Sequence, residues 1–182
     1  MDAADEPPWM DSRRALPPIR NVFSLCQWAA GVTLLLMKTT QRILNPNEHP
    51  FYKEIAGIRV SAHCVIYRTG EVEQFVPFNK RAWHAGFSTF QGRSRCNDFT
   101  IGIELEGTDT LPYTDAQYEQ LSKLSKFILQ QYPQISLGRI VGHNDIAPGR
   151  KTDPGVAFDW PRYRQSLDLT NTLRNIINRK GK

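Results

Sequence analysis

The sequence predicts a single α/β domain, and three observations carry that expectation. Its 182 residues are the length of one ordinary domain. Two segments alternate apolar and polar residues with the period of a strand, and a third repeats its apolar residues with the period of a helix.

The first alternation runs from Ile58 to Tyr67. Ile58, Val60, Ala62, Cys64 and Ile66 fall on one side, while Arg59, Ser61, His63, Val65 and Tyr67 fall on the other, which predicts a half-buried strand. Thr69-Gly70 reads as a tight turn, with Glu71 to Phe75 returning as the second strand of a hairpin. The second alternation is Phe99 to Glu106: Phe99, Ile101, Ile103 and Leu105 face one way, and Gly102, Glu104 and Glu106 the other. Two acids and a glycine on one strand face predict either the floor of a site or a solvated outer face. Thr114 followed by Gln117 is a capping-box signature, and Tyr118, Leu121, Leu124, Ile128 and Tyr132 form the apolar stripe of a helix that Pro133 ends. Arg139 to His143 reads as a short strand entering a Gly/Pro-rich loop through Gly155. Asp159 to Arg179 reads as a helix with Pro161 in its first turn.

Residues 1–20 hold four prolines and no periodicity, the mark of a loosely ordered arm. Val22 to Met37 is mostly apolar and looks like a signal core or short anchor. As a helix it would reach only about 24 Å against a hydrocarbon core of ~30 Å. The acidic start and the absence of a small-x-small cleavage site argue against export, so a cytoplasmic chain without stable membrane association is expected.

Composition excludes several classes. With 40% hydrophobic and 23% charged residues, the chain is neither a disordered polyelectrolyte nor a collagen-like repeat. Its three cysteines, Cys26, Cys64 and Cys96, are odd in number and widely spaced, which fits neither a disulfide scaffold nor a zinc knuckle. The net charge of +5 is dispersed, with local density only at Arg13-Arg14 and the C-terminal tail, so nucleic acid is not an expected partner.

Chemistry concentrates between His143 and Gly155, which brings an imidazole, the Lys151 ammonium and the Asp153 carboxylate into one loop stiffened by Pro148, Gly149, Pro154 and Gly155. His143 and Asp153 are the donor types a zinc ion takes at ~2.0–2.2 Å. The spacing alone is no standard metal signature.

That loop, together with RVSAHCVI (59–66), RAWHAG (81–86), RCNDFTIGIELEGTD (95–109) and YTDAQY (113–118), closely resembles the cytoplasmic anhydro-N-acetylmuramoyl-L-alanine amidases. These belong to the type 2 amidase family, which shares its fold with phage lysozyme-amidases and peptidoglycan recognition proteins. The resemblance runs from Leu44 to Leu167. It implies a central mixed sheet flanked by helices and a zinc-dependent hydrolase that cuts the amide between the lactyl group of anhydromuramic acid and L-alanine during cell-wall recycling. It further implies His143 and Asp153 as zinc ligands, Glu104 as general base and Lys151 as the cation near the oxyanion. Arg59, Trp83, His84, Arg95 and Asn97 fall in motifs that line the family's cleft. Arginines suit the stem-peptide carboxylates because they grip them bidentately. Glu106 is expected as a structural neighbour of Glu104, His63 as a hydrogen-bonded strand residue, and His49 as part of a surface turn. The expected partner is an anhydromuropeptide, bound by a monomer.

The resemblance fails over residues 1–43. Family members carry their first zinc ligand there, on a strand with a Val-Val-His-Asn-Ile-Ser-type motif, whereas no histidine precedes His49 in this chain. Counting back places the missing imidazole near Val22. A segment of right length and wrong residues is the pattern a shifted reading frame leaves. The organisation expected is therefore an atypical segment over 1–43, an amidase domain over 44–167, and a helix end with a basic tail over 168–182. Loss of the histidine strand is expected to leave its sheet neighbour unpaired, and loss of the histidine to leave a two-ligand site unless Cys26, His49 or His63 substitutes. A catalytically inactive muropeptide-binding protein is the alternative reading.

Overall fold

The computed structural model describes residues 22–28 and 60–168, with side chains in the first segment described for Val22 to Ser24. A mixed five-stranded sheet forms its centre. The strands are β1 (Val22–Trp28), β2 (Cys64–Ile66), β3 (Val72–Gln74), β6 (Thr100–Glu106) and β7 (Ile140–Gly142), in the spatial order β3-β2-β6-β1-β7. All neighbours are parallel except the β2–β3 hairpin. Between them, β4 (Thr89–Phe90) and β5 (Arg93–Ser94) make a separate small ribbon. The helices are α1 (Asp115–Gln131), α2 (His143–Ile146) and α3 (Trp160–Leu167).

Three of the four apolar residues expected on one side of this strand face a common core, while Phe99, just before β6, packs in a second cluster with Val22, Cys96 and Ile146. Ile101, Ile103 and Leu105 pack with Phe23 of β1, Ile66 of β2, Tyr118, Leu121 and Ile128 of α1, and Tyr163 and Leu167 of α3. The opposite face is also buried, since every residue from Thr100 to Leu105 is, so the solvated alternative for Glu104 does not hold. A parallel strand covered on both faces explains this, and it also explains why Cys64, Val65 and Ile66 are buried without alternation. Regular pairing in β2 starts at Cys64, so Ser61 and His63, expected on the strand, precede it.

Helix α1 begins as expected. The Thr114 hydroxyl accepts from Gln117 N at 3.1 Å, and Gln117 Oε1 accepts from Thr114 N at 3.1 Å. The Gln117 amide also donates to Glu106 O at 2.8 Å, which ties the helix start to the end of β6. Helix α3 ends at Leu167, well short of Arg179. Residues beyond 168 lie outside the described residues, as do Arg59 and His49.

The largest departure from expectation is β1. Val22 to Trp28 supplies a strand inserted between β6 and β7, with Val22 paired to Thr100 and Trp28 to Glu106. The sheet is thus not left with an unpaired neighbour. Backbone N–H and C=O groups make the ladder whatever the side chains are, and an apolar run with β-branched and aromatic residues suits a doubly covered central position. No helix among the described residues is long and apolar enough to cross a membrane.

Candidate active site

Glu104 lies in the carboxyl half of β6 and His143 directly follows β7, at the strand ends where open α/β sheets present their ligand-binding crevices. Leu25 of β1 is level with Ile103 on one side and with Gly142 on the other. The next row therefore holds Glu104 and Cys26 as register partners, and His143 follows Gly142 directly. Two strand spacings of ~4.8 Å set the backbones of Glu104 and His143 about 10 Å apart.

Helix α2 starts at His143, where Asp145 Oδ2 accepts from Gly142 N at 2.7 Å and fixes the turn out of β7. The chain then loops back so that Asn144 N donates to Asp153 O at 2.9 Å. This brings the two side chains together: His143 Nδ1 lies 3.0 Å from Asp153 Oδ2, and both residues are over nine-tenths buried. Gly155 closes the loop at φ +77°, where a Cβ would lie 2.4 Å from Asp109 Cα. Thr152 Oγ1 donates to Asp109 Oδ2 at 2.5 Å and anchors the same turn. Tyr113 donates its hydroxyl to Pro154 O at 2.9 Å. Burial first, then the nearby charge of Asp153, with Asp109 and Glu104 adding, raises the Tyr113 phenol above its ordinary value, so it stays a neutral donor. Lys151, two residues before Asp153, is exposed.

The facing wall is built on residues 83–87. Asn97, buried below it, accepts from both His84 N (3.0 Å) and Ala85 N (2.8 Å), so its amide oxygen shapes the loop. Thr100 donates its single hydroxyl hydrogen to Cys96 O at 2.8 Å, which leaves its oxygen to accept from His84 Nε2 at 3.1 Å. The His84 ring lies against Gly102, where a Cβ would fall 2.2 Å from its Cγ. The glycine on the polar face of β6 is therefore the space for this imidazole. Trp83 is half-buried under the Arg81 guanidinium, 3.5 Å above the ring centroid. Arg95 is exposed and pairs with Asp98 at 3.3 Å.

His63 is fully buried. Its Nδ1 accepts from Gly102 N at 3.0 Å and its Nε2 lies 3.0 Å from Lys80 O, so both ring nitrogens are engaged. Glu106 accepts from Arg68 N at 2.8 Å, a backbone-binding role at the far end of β6. Arg150, which the sequence did not single out, proves central. Its Nη2 donates to Ala85 O at 2.6 Å and its Nε to Phe87 O at 3.0 Å, joining the two loops. The signal was its place next to Lys151, but the partners lie 63 and 65 residues away.

This fold is that of the N-acetylmuramoyl-L-alanine amidase family, a family of hydrolases. The family model matches residues 32–156, and the chain belongs to that family. Among curated relatives, it is 64% identical over 129 residues to 1,6-anhydro-N-acetylmuramyl-L-alanine amidase AmpD of Escherichia coli K12, covering 71% of this chain and 70% of that one. It is 61% identical over 128 residues to the AmpD of Salmonella typhimurium SL1344, covering 70% and 68%. The crystal structure of a selenomethionine derivative of AmpD superposes with a TM-score of 0.72 at 49% identity, covering 82% of this chain and 85% of that one. Escherichia coli AmiD, in complex with the substrate anhydro-N-acetylmuramic acid-L-Ala-D-gamma-Glu-L-Lys, superposes with a TM-score of 0.64 at 29% identity, covering 85% and 60%.

The family implies zinc, and the donor set can be tested against it. The 3.0 Å between His143 Nδ1 and Asp153 Oδ2 is a few tenths of an ångström short of the ~3.4 Å edge of a tetrahedron with ~2.1 Å bonds. The remote Nε2 lies 3.2 Å from Ala85 O, a backbone carbonyl of the kind that orients metal-binding imidazoles. The pair therefore fits two corners of a zinc site. Among the described residues no group of three His, Cys, Asp or Glu side chains fits a metal ion.

Proposed function

We propose that the chain hydrolyses the amide between the lactyl group of 1,6-anhydro-N-acetylmuramic acid and L-alanine in muropeptides, in cell-wall recycling, as a cytoplasmic, zinc-dependent monomer. The observation that carries this reading is the buried His143–Asp153 pair set across one intervening strand from the buried Glu104. The substrate follows from the relatives named above. Cell-wall chemistry also accounts for the exposed arginine at 95, since a stem peptide offers carboxylates.

His143 and Asp153 would hold the zinc, which supplies a Lewis acid and lowers the pKa of a bound water to about 7. Glu104 takes the proton from the attacking water and returns it to the departing amine, the task of a carboxylate held within reach of both. Lys151 donates to the amide oxygen as negative charge develops there. Trp83 and His84 form the wall beside the sugar, Asn97 sets that wall, and Arg59 and Arg95 bind stem carboxylates. No covalent intermediate is needed.

The experiment is chromatographic turnover of anhydromuropeptide, with elemental analysis for zinc on the same dialysed protein. Release of the free peptide, with about one zinc per chain, supports the reading. A second reading, an inactive muropeptide-binding protein, is favoured by the lack of a third ligand among the described side chains. It predicts anhydromuropeptide binding by calorimetry, no hydrolysis and no retained zinc.

A further inference from the structure

Residues 83–87 are held through their amide hydrogens by one part of the chain and through their carbonyls by another. The Ser61 hydroxyl accepts from Trp83 N at 2.9 Å, and Ser61 N donates to Trp83 O at 3.0 Å, while the Asn97 amide oxygen accepts from His84 N and Ala85 N. Ser61 and Asn97 lie in the chain leading into β2 and β6. The carbonyls go to the His143–Gly155 loop, where Arg150 Nη2 donates to Ala85 O at 2.6 Å and Nε to Phe87 O at 3.0 Å. Between these two carbonyls Gly86 sits at φ +55°, and a Cβ there would come within 3.3 Å of both terminal nitrogens of the guanidinium. A guanidinium presents its donors in a fixed planar fork, so one side chain fixes two carbonyls at once.

Arg150 directly precedes Lys151, and the N–H groups of both donate to Ala147 O, at 3.1 and 3.0 Å. The backbone that carries the proposed oxyanion cation is thus continuous with the side chain that grips the proposed sugar wall. In the hydrolysis proposed above, the lactyl group belongs to the sugar, and its carbonyl oxygen is where charge develops. Both must be held at one separation, since a misplacement of about 1 Å costs rate by about 10²-fold.

Given the ligand proposed above, on which this reading rests, we infer that Arg150 is a positioning residue that sets the Trp83–His84 wall against the loop carrying Lys151. It acts through the backbone carbonyls of residues 85 and 87, and it serves the sugar part of the ligand rather than the stem peptide. The side chain assigned to a stem carboxylate at 95 is paired with Asp98 instead, at 3.3 Å. Loss of the two carbonyl bonds therefore loosens one half of the site and spares the other.

The test is calorimetric binding of two fragments that lack the scissile amide, 1,6-anhydro-N-acetylmuramic acid and the peptide L-Ala-D-γ-Glu-L-Lys, to the full-length protein. Arg150→Met keeps the length of the side chain and removes its donors. It is expected to weaken binding of the sugar about tenfold, the weight of one to two hydrogen bonds, and to leave that of the peptide within about twofold. Arg150→Lys, whose single nitrogen can serve one carbonyl, is expected to fall between. Gly86→Ala keeps the arginine but crowds it, and is expected to weaken sugar binding in the same selective way. Urea unfolding shows that each variant is folded. Unchanged sugar binding in folded Arg150→Met, or equal weakening of both fragments, overturns the inference. Absence of sugar binding by the native protein also overturns it, and this result needs no variant to fold. A native protein that binds the sugar and leaves anhydromuropeptide intact refutes the proposed hydrolysis, while the variant comparison still decides the role of Arg150.

Discussion

Replacing Gly102 by alanine places a methyl carbon 2.2 Å from Cγ, 2.3 Å from Nδ1 and 2.5 Å from Cδ2 of His84. No flexible end of a side chain is there to yield, because the contacted atoms belong to a ring that is itself buried. The ring must leave, giving up its 3.1 Å bond to Thr100, or β6 must shift against its neighbours. Overpacking of this kind costs about 1–3 kcal/mol and the lost bond about 1 kcal/mol. Against this, Gly→Ala in a strand gains about 0.5–1 kcal/mol from the unfolded chain. The expected net loss is therefore about 1–3.5 kcal/mol, measured by urea unfolding with the slope checked for two-state behaviour. His84→Ala opens the same space, so Gly102→Ala in that background is expected to cost under ~0.5 kcal/mol, giving a coupling above ~0.5 kcal/mol. A single variant as stable as the parent, or additive costs in the double variant, would refute the claim that this glycine exists to house the imidazole.

Glu104→Gln removes the proposed proton acceptor while keeping shape, and is expected to lower kcat by about 10²–10⁴ with zinc content unchanged. Lys151→Met is expected to lower kcat by about 10² with little change in KM, checked by steady-state turnover. Thr114→Ala breaks the cap of α1 and is expected to cost about 1 kcal/mol in thermal or denaturant unfolding, without affecting activity. Burial pushes the Cys64 thiol from 9.0 up to about 12. The folded form thus keeps its proton where the unfolded chain loses it: the contribution is intact below pH 9.0 and is lost as the pH rises towards about 12. Cys64→Val should flatten the alkaline limb of the stability profile relative to the parent, and an unchanged limb would count against the burial argument.

Much of the architecture was legible because periodicity is a local property. The β6 alternation, the β2–β3 hairpin and the capped α1 each announce themselves within a few residues. Glu104, His143 and Asp153 were singled out through the motifs that resemble the family, and the structure buries all three. Asn97 and Arg150 show where local reading stops. Asn97 stood out by its motif, but its work on the backbone of residues 84 and 85 depends on a contact across 12 and 13 positions. Arg150 reaches further still. Strand β1 escaped for a different reason: a central parallel strand reads as an unbroken apolar run, and that pattern also describes a membrane anchor.

The placement of β1 separates two kinds of information that usually travel together. A parallel ladder is made by amide hydrogens and carbonyl oxygens, so any chain that avoids proline and tolerates burial can occupy the slot between β6 and β7. A metal centre, in contrast, is specified atom by atom. Residues 22–28 contain no histidine, yet they supply the ladder along the whole of β6 from Thr100 to Glu106. A strand without a histidine can therefore complete the sheet, because the ladder and the metal chemistry are specified by different atoms of the same residues.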